Sequence, residues 1–344
     1  MKDFRYSFVV TIVCLAMAFF WGAHSGMGGW AAAFLALILG VMEVSLSFDN
    51  AVVNASVLKE MDAKWRGIFL TLGILIAVFG MRLFFPIEIV AVATGQGVSA
   101  VTQMALQHPE EYARHLEASH AGIAAFGGIF LLLVFLSFMF DEAKELHWVA
   151  IIEARLARLG KLDSIETMIA LAVLFFLHRY LPLDQGTRLT VLSAGVAGVI
   201  LYIFVSSLDK FFESEEEGEM AVNTAKRAGV TAFLYLEVLD ASFSFDGVIG
   251  AFAITRDVVI IMLGLAIGAL FVRSLTVYLV KKGALDEYVF LEHGAHWAIG
   301  ALAAIMLGSI VYQVSEVITG LIGVVFIALA ILSSVRHKKF HRER

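Results

Sequence analysis

The sequence predicts an all-α, polytopic transmembrane helical bundle, and three observations lead there. Hydrophobic residues make up 60% of the 344 and charged residues only 16%, with a mean hydropathy of +0.86, outside the range of soluble globular chains. Apolar runs of about twenty residues, long enough to cross a bilayer as helices, recur along the whole length. The polar stretches between them are too short to build a soluble domain, so residues 1–344 read as a single integral membrane domain.

About ten spans follow in order, at 7–23, 30–58, 67–90, 120–140, 165–181, 188–208, 229–252, 257–280, 294–313 and 316–335. Lys2 and Arg5 precede the first run and "AHS" follows it, so a cleaved signal peptide is the competing reading of residues 1–25. An even span count favours a retained helix. Cys14, the one cysteine, lies in that run, which excludes a disulfide framework or a cysteine metal site. Lys and Arg set the sidedness. With the N-terminus in the cytoplasm, nineteen of the twenty-five basic residues fall in cytoplasmic loops and tails. The expected location is the cell (inner) membrane, multi-pass, with both termini cytoplasmic.

Two stretches place acids inside apolar runs: "VMEVSLSFDNAVVN" at 41–54 and "YLEVLDASFSFDGVIGAF" at 235–252. They align without a gap, Glu43 against Asp240, Ser45 against Ser242, Ser47 against Ser244, Asp49 against Asp246 and Asn50 against Gly247. The helix after each also corresponds, because Gly73 precedes Arg82 by nine positions just as Gly264 precedes Arg273. These are internal repeats of several spans. Spans 2 and 7 would run in opposite directions, so two inverted halves of about five helices each, 1–185 and 186–344, are expected. Secondary transporters are built this way, with the substrate site near the midplane where the halves meet.

The chemistry of the motifs narrows the substrate. A carboxylate at a span centre costs about 2.5–3.5 kcal/mol, so Glu43, Asp49, Glu237, Asp240 and Asp246 together cost on the order of 10 kcal/mol without a compensating cation or water. Residues four apart share a helix face, setting Ser45 beside Asp49 and Ser242 beside Asp246. Glu43 and Asp49 diverge on an ideal helix, a conflict that eases if "SLSFDN" and "SFSFDG" are unwound, as Ser, Asp and Asn favour. Unwound backbone at membrane depth is tolerated where it lines a cavity. Glu43, Asp49, Asn50, Glu237, Asp240 and Asp246, supported by Ser45, Ser47, Ser242 and Ser244, then form an all-oxygen ligand set. Such a set suits Mg²⁺, Ca²⁺ or Mn²⁺ rather than zinc or copper. Arg82 and Arg273 either snorkel or neutralise the empty site. The bland reading, acids merely pairing with two arginines to pin helices, leaves most of the five acids unused.

Other features carry less. "ESEEEGE" at 213–219 reads as a solvated acidic loop rather than a cation collector. His293 and His296 read as packed or interfacial groups before proton carriers or secondary ligands. "DEAKELHWVAIIEARLARLGK" reads as an amphipathic juxtamembrane helix. No Walker loop, Ser/His/Asp arrangement or nucleic-acid-binding patch is present, so neither an enzyme nor a tightly bound cofactor is expected. An intramembrane di-aspartyl protease, which "FDG" superficially offers, would leave the Glu and Ser residues surplus.

At these residues the chain resembles the TerC family of integral membrane proteins, within the LysE-like transporter group. That family's first motif, an acidic residue, five positions, then Asp-Asn, is matched by Glu43, Asp49 and Asn50. Its second, Glu-x-x-Asp, five positions, then Asp, is matched by Glu237, Asp240 and Asp246. "FAITRD" at 252–257 and "VRSLTVYL" at 272–279 are also similar to it, and the likeness spans roughly residues 35–335. Gly247 and Ile249 stand where that family often has Ser and Pro, which marks a divergent branch. The resemblance implies efflux of a divalent metal cation as substrate, Mn²⁺ ahead of Ca²⁺, and a link to tellurium resistance. The residues alone reach a hard divalent-cation transporter whose partners are the metal ion and the lipid bilayer. The alternative is a non-transporting membrane scaffold in an envelope-stress or tellurium-resistance complex.

Overall fold

The computed structural model describes residues 4–162, 164–213, 221–312, 314 and 316–342. Residues 214–219 of the acidic stretch expected as a solvated loop lie outside them. Among the described residues the fold is all helical. Its first half holds α1 (Arg5–Ser25), α2 (Gly29–Leu46), α3 (Phe48–Glu60), α4 (Ala63–Phe69), α5 (Leu72–Leu75), a π-helical segment (Ile76–Phe84), α6 (Phe85–Thr94), α7 (Val98–Gln107) and α8 (Pro109–Phe140). Then come α9 (Ala150–Leu159), α10 (Ile165–Tyr180), α11 (Gln185–Glu213), α12 (Ala221–Ile254), α13 (Val258–Lys282), α14 (Ala284–Glu287), α15 (Leu291–Ser309) and α16 (Glu316–Arg342).

Seven described stretches are long and apolar enough to cross a membrane: Arg5–Ser25, Gly29–Leu46, Ile76–Thr94, Pro109–Phe140, Gln185–Ser207, Val258–Lys282 and Ile318–Lys339. The other expected spans are helices of a different character. At 1.5 Å per residue, the 16 residues of α10 reach about 24 Å, short of a hydrocarbon core of about 30 Å. Acids interrupt the apolar run of α12, and Glu292, His293 and His296 that of α15.

The span expected over 30–58 is divided between α2 and α3 at Ser47, which leaves helical geometry (φ −106°, ψ 20°). The break is slight: the Ser47 amide still reaches the Glu43 carbonyl at 3.0 Å, and the Ala51 amide the Ser47 carbonyl at 3.1 Å. In the second motif the expected unwinding does not occur, since α12 runs unbroken from Ala221 to Ile254. Ser242 turns its hydroxyl back onto the Val238 carbonyl (2.9 Å), a bond that leaves the helical ladder intact. With lipid around it, backbone loses more by unwinding than a serine gains.

The chain divides into two compact units. Unit 1 comprises Met1–Ala51, Asp62–His120 and Leu236–Tyr278; unit 2 comprises Val52–Met61, Ala121–Tyr235 and Leu279–Arg344. In unit 1, α1 lies against α2, where a Cβ on Gly22 would fall 2.3 Å from that of Ala32 and Phe19 meets Trp30 edge to face. Asp257 caps α13 by accepting from the amides of Val259 and Ile260 at 3.0 and 3.1 Å, and it also accepts from the Trp21 indole at 2.8 Å. In unit 2, α15 pairs with α16 across Gly294 and Ala330, and α10 with α11 across Leu174 and Gly195.

Candidate functional site

The two acidic motifs meet in unit 1. Asn50, in the first turn of α3, donates from Nδ2 to Oδ1 of Asp240 over 2.7 Å. Glu43, near the end of α2, is 1% exposed; the Cβ that Gly247 of α12 lacks would lie 2.5 Å from its Oε2. On α12, Glu237, Asp240, Ser244 and Gly247 follow at i, i+3, i+7 and i+10, which is one helix face. That face is what Glu43 and Asn50 meet.

Small residues make room for Glu43. A Cβ on Gly268 would stand 2.3 Å from the Glu43 Cβ and 2.8 Å from the Gly40 carbonyl, and one on Gly264 would stand 2.9 Å from the Ala36 carbonyl. Helices α2 and α13 therefore approach through Ala36 and Gly40 on one side and Gly264 and Gly268 on the other, small residues four apart on each. Arg82 closes the pocket by donating from Nη2 to Oε1 of Glu43, while the Ser47 hydroxyl donates to the same oxygen at 3.3 Å. Arg82 Nη1 donates to the Ala77 carbonyl at 2.6 Å, five residues back within the π-helical segment. A π turn in place of an α turn is a frequent device at functional sites. Val78 of this segment packs on Ala266 and Ala269 of α13, which fixes its position.

Arg273, the counterpart of Arg82 in the second repeat, behaves differently. Its guanidinium carbon lies 4.2 Å from the ring centre of Phe69, and its Nε and Nη2 are buried without a hydrogen-bond partner. Glu237 is 7% exposed, and neither of its carboxylate oxygens has a partner. Asn50 Oδ1 and Ser244 Oγ are likewise buried and unpartnered. Each such group costs about 1–3 kcal/mol, so a cluster of them marks a place where an ion, a ligand or water belongs.

The remaining candidates are placed as follows. Asp49 is buried in the first turn of α3, where the positive end of the helix favours a negative charge. The side chain of Asp246 lies outside the described residues. Ser45, expected beside Asp49, is exposed and donates to the Val41 carbonyl at 2.9 Å, while Asp49 is buried. Ser242 is spent on its own helix. Among the described residues, no three His, Cys, Asp or Glu side chains gather into a group that could hold a metal ion. The oxygens that converge are mixed, from carboxylate, amide and hydroxyl.

Unit 2 holds a polar centre that the sequence reading did not assign. Glu153 of α9 is 0% exposed. Its carboxylate accepts from the amides of Trp148 (3.0 Å) and Val149 (3.2 Å), from the Trp297 indole (2.9 Å) and from His293 Nδ1 (2.9 Å). Burial alone would raise its pKa, but the bonds from His293 and Trp297 and the His293 charge bring it down to about 2. Burial lowers the pKa of neighbouring Lys144, against the pull of Glu153, Asp141 and Glu292. His296 stacks on Phe138 at 3.8 Å between ring centres and donates to the Glu292 carbonyl. Both histidines are thus packed structural groups. The amphipathic pattern of α9 singles out no one acid, and it is the partners His293 and Trp297 from α15 that mark Glu153 as a buried centre.

The profile of the family described as "Protein of unknown function (DUF475)" matches residues 48–341. No curated protein and no solved structure matches the chain. The matched segment contains Asp49, Asn50, Arg82, Glu237, Asp240, Asp246 and Arg273, and begins five residues after Glu43. It extends over well more than half of this membrane-helical chain, which therefore belongs to the DUF475 family.

Proposed function

We propose that this chain is a multi-pass membrane transporter that carries a divalent metal cation through the acidic cluster of unit 1. The observation that carries the reading is the set of buried oxygens without donors, Glu237 Oε1 and Oε2, Asn50 Oδ1 and Ser244 Oγ, around the joined motifs. A hard cation is the ligand such oxygens take at about 2.0–2.6 Å. The resemblance to the TerC family supports Mn²⁺ over Ca²⁺ and efflux over uptake, and positive-inside charge supports cytoplasmic termini. Inverted repeats supply the usual architecture for alternating access.

A second reading, a non-transporting membrane scaffold in an envelope-stress or tellurium-resistance complex, is favoured by one feature. Glu43 and Arg82 already neutralise each other without a cation. The deciding experiment reconstitutes the purified protein into liposomes holding a Mn²⁺-quenched dye. Transport predicts Mn²⁺-dependent quenching well above that of protein-free vesicles. Flux equal to protein-free vesicles for Mn²⁺, Ca²⁺ and Mg²⁺ alike would leave the scaffold.

A further inference from the structure

Glu237 and Arg273 present a physical contradiction. The carboxylate has no donor on either oxygen, and the guanidinium has two buried nitrogens without an acceptor. Yet one point, the place a Cβ would take on Gly73, lies 2.6 Å from Glu237 Oε1 and 3.6 Å from Arg273 Nη1. The space over a glycine, bordered also by the Phe69 ring at 3.2 Å, thus lies beside both an acid and a base that are buried. Each bears its desolvation cost while forgoing the hydrogen bonds that would offset it. Arg82 differs: its Nε is also buried without a partner, but Nη1 and Nη2 are bonded to the Ala77 carbonyl and to Glu43.

We infer that Arg273 is a tethered counter-cation: it pairs with Glu237 when the site holds no metal cation, and rests on Phe69 when a divalent cation occupies Glu237. This rests on the transport reading above. Three observations on separate elements support it. The Phe69 ring gives the guanidinium a place to rest, 4.2 Å away, that needs no hydrogen-bond acceptor. Gly73 has no side chain to obstruct the passage between the two positions. With Arg273 withdrawn, Glu237, Ser244 and the Asn50 held on Asp240 leave carboxylate, hydroxyl and amide oxygens without donors along one face of α12, the oxygen types that hard cations take.

The exchange has a consequence for transport. A site that loses a divalent cation and gains a guanidinium stays close to charge balance, so the empty carrier avoids exposing bare carboxylates to a low-dielectric interior. Arg82 cannot serve in this way, because both of its terminal nitrogens are already engaged. The two repeats have thus diverged in use: one arginine latches a helix pair, the other competes with the cargo.

The test measures Mn²⁺ binding to the purified protein by calorimetry, alongside two vesicle assays. One follows tracer exchange between Mn²⁺-loaded vesicles and Mn²⁺ outside; the other follows net release into Mn²⁺-free medium. Arg273→Gln should lower the Kd for Mn²⁺ about tenfold or more, keep exchange within about threefold of wild type, and reduce net release about tenfold. Arg273→Met, of similar reach and suited to an apolar span, carries the same expectation and replaces the Gln variant if that does not fold. A folded Arg273 variant that binds Mn²⁺ no tighter, or loses exchange and net release together, overturns the inference while the transport reading stands. Wild-type protein that neither binds nor moves Mn²⁺ overturns both.

Discussion

Asn50 donates to Asp240 over 2.7 Å, joining positions 190 residues apart and tying the first acidic motif to the second. The direction of that bond is fixed by chemistry, since the carboxylate only accepts. Asn50→Ala leaves Asp240 without its donor and should cost about 1–3 kcal/mol, read as a lowered melting temperature in detergent. Asn50→Asp sets two carboxylates at hydrogen-bonding distance and should cost at least as much in metal-free buffer. The exchange variant, Asn50→Asp with Asp240→Asn, rebuilds the bond in reverse and should recover most of the loss. An Asn50→Asp protein as stable as wild type in metal-free buffer would contradict this geometry.

The Glu43–Arg82 pair is buried on both sides, with side chains 1% and 2% exposed. Removing one partner strands the other, so Glu43→Gln and Arg82→Gln should each destabilise by about 3–5 kcal/mol. The double variant Glu43→Gln/Arg82→Gln leaves no uncompensated charge and should cost clearly less than the two singles summed, a coupling that a double-mutant cycle reads directly. Gly268→Ala should be harsher than Gly247→Ala. The first sets a methyl against the Glu43 Cβ and the Gly40 backbone, the second only against a carboxylate tip that can turn aside.

The helical class and the meeting of the motifs were legible because both rest on one-dimensional signals. Apolar runs of span length specify helices, and acids repeating within two such runs must find one another or a cation. The pairing within the site was not legible. Which carboxylate an arginine meets depends on helix rotation, and here Gly40, Gly264 and Gly268 set that rotation through the closeness of α2 and α13. Symmetry of sequence suggested that Arg82 and Arg273 act alike, yet one is bonded to Glu43 and the other lies over Phe69. Local serine preference overstated the unwinding, which amounts to one residue at Ser47 and none in α12. The π-helical segment around Arg82 has no periodic signature that nine residues would reveal.

Glu153 gives a pH prediction outside the spans. Its folded pKa, about 2, lies below the ordinary 4.5, so folding favours the charged form. Its contribution to stability is fully present above about pH 4.5 and is lost as pH falls toward 2. Glu153→Gln turns an amide NH₂ toward donors from Trp148, Val149, His293 and Trp297, and should cost about 3 kcal/mol at pH 7. The gap in melting temperature between wild type and Glu153→Gln should hold from pH 7 to about 5 and narrow below that. A gap that widens on acidification would show that His293, not the carboxylate, governs this contact.

Asp49 separates the transport reading from the structural one most sharply. It lies in the first turn of α3, where loss of a negative charge forfeits about 0.3–1 kcal/mol of helix-end interaction. Asp49→Asn nearly preserves shape, so the variant should fold, with a melting temperature close to wild type. A divalent cation held by charge should fare much worse, because an amide oxygen is a weaker ligand than a carboxylate. Mn²⁺ flux in vesicles should therefore fall at least about tenfold in Asp49→Asn, and likewise in Asp246→Asn, its counterpart in the repeat. Were these acids present only to hold helices together, the same changes would lower expression or melting temperature and leave no flux to lose. Measuring flux and melting on one preparation distinguishes the two. Wild-type flux from a well-folded Asp49→Asn protein would remove Asp49 from the path of the ion, and the acidic cluster would then need another explanation.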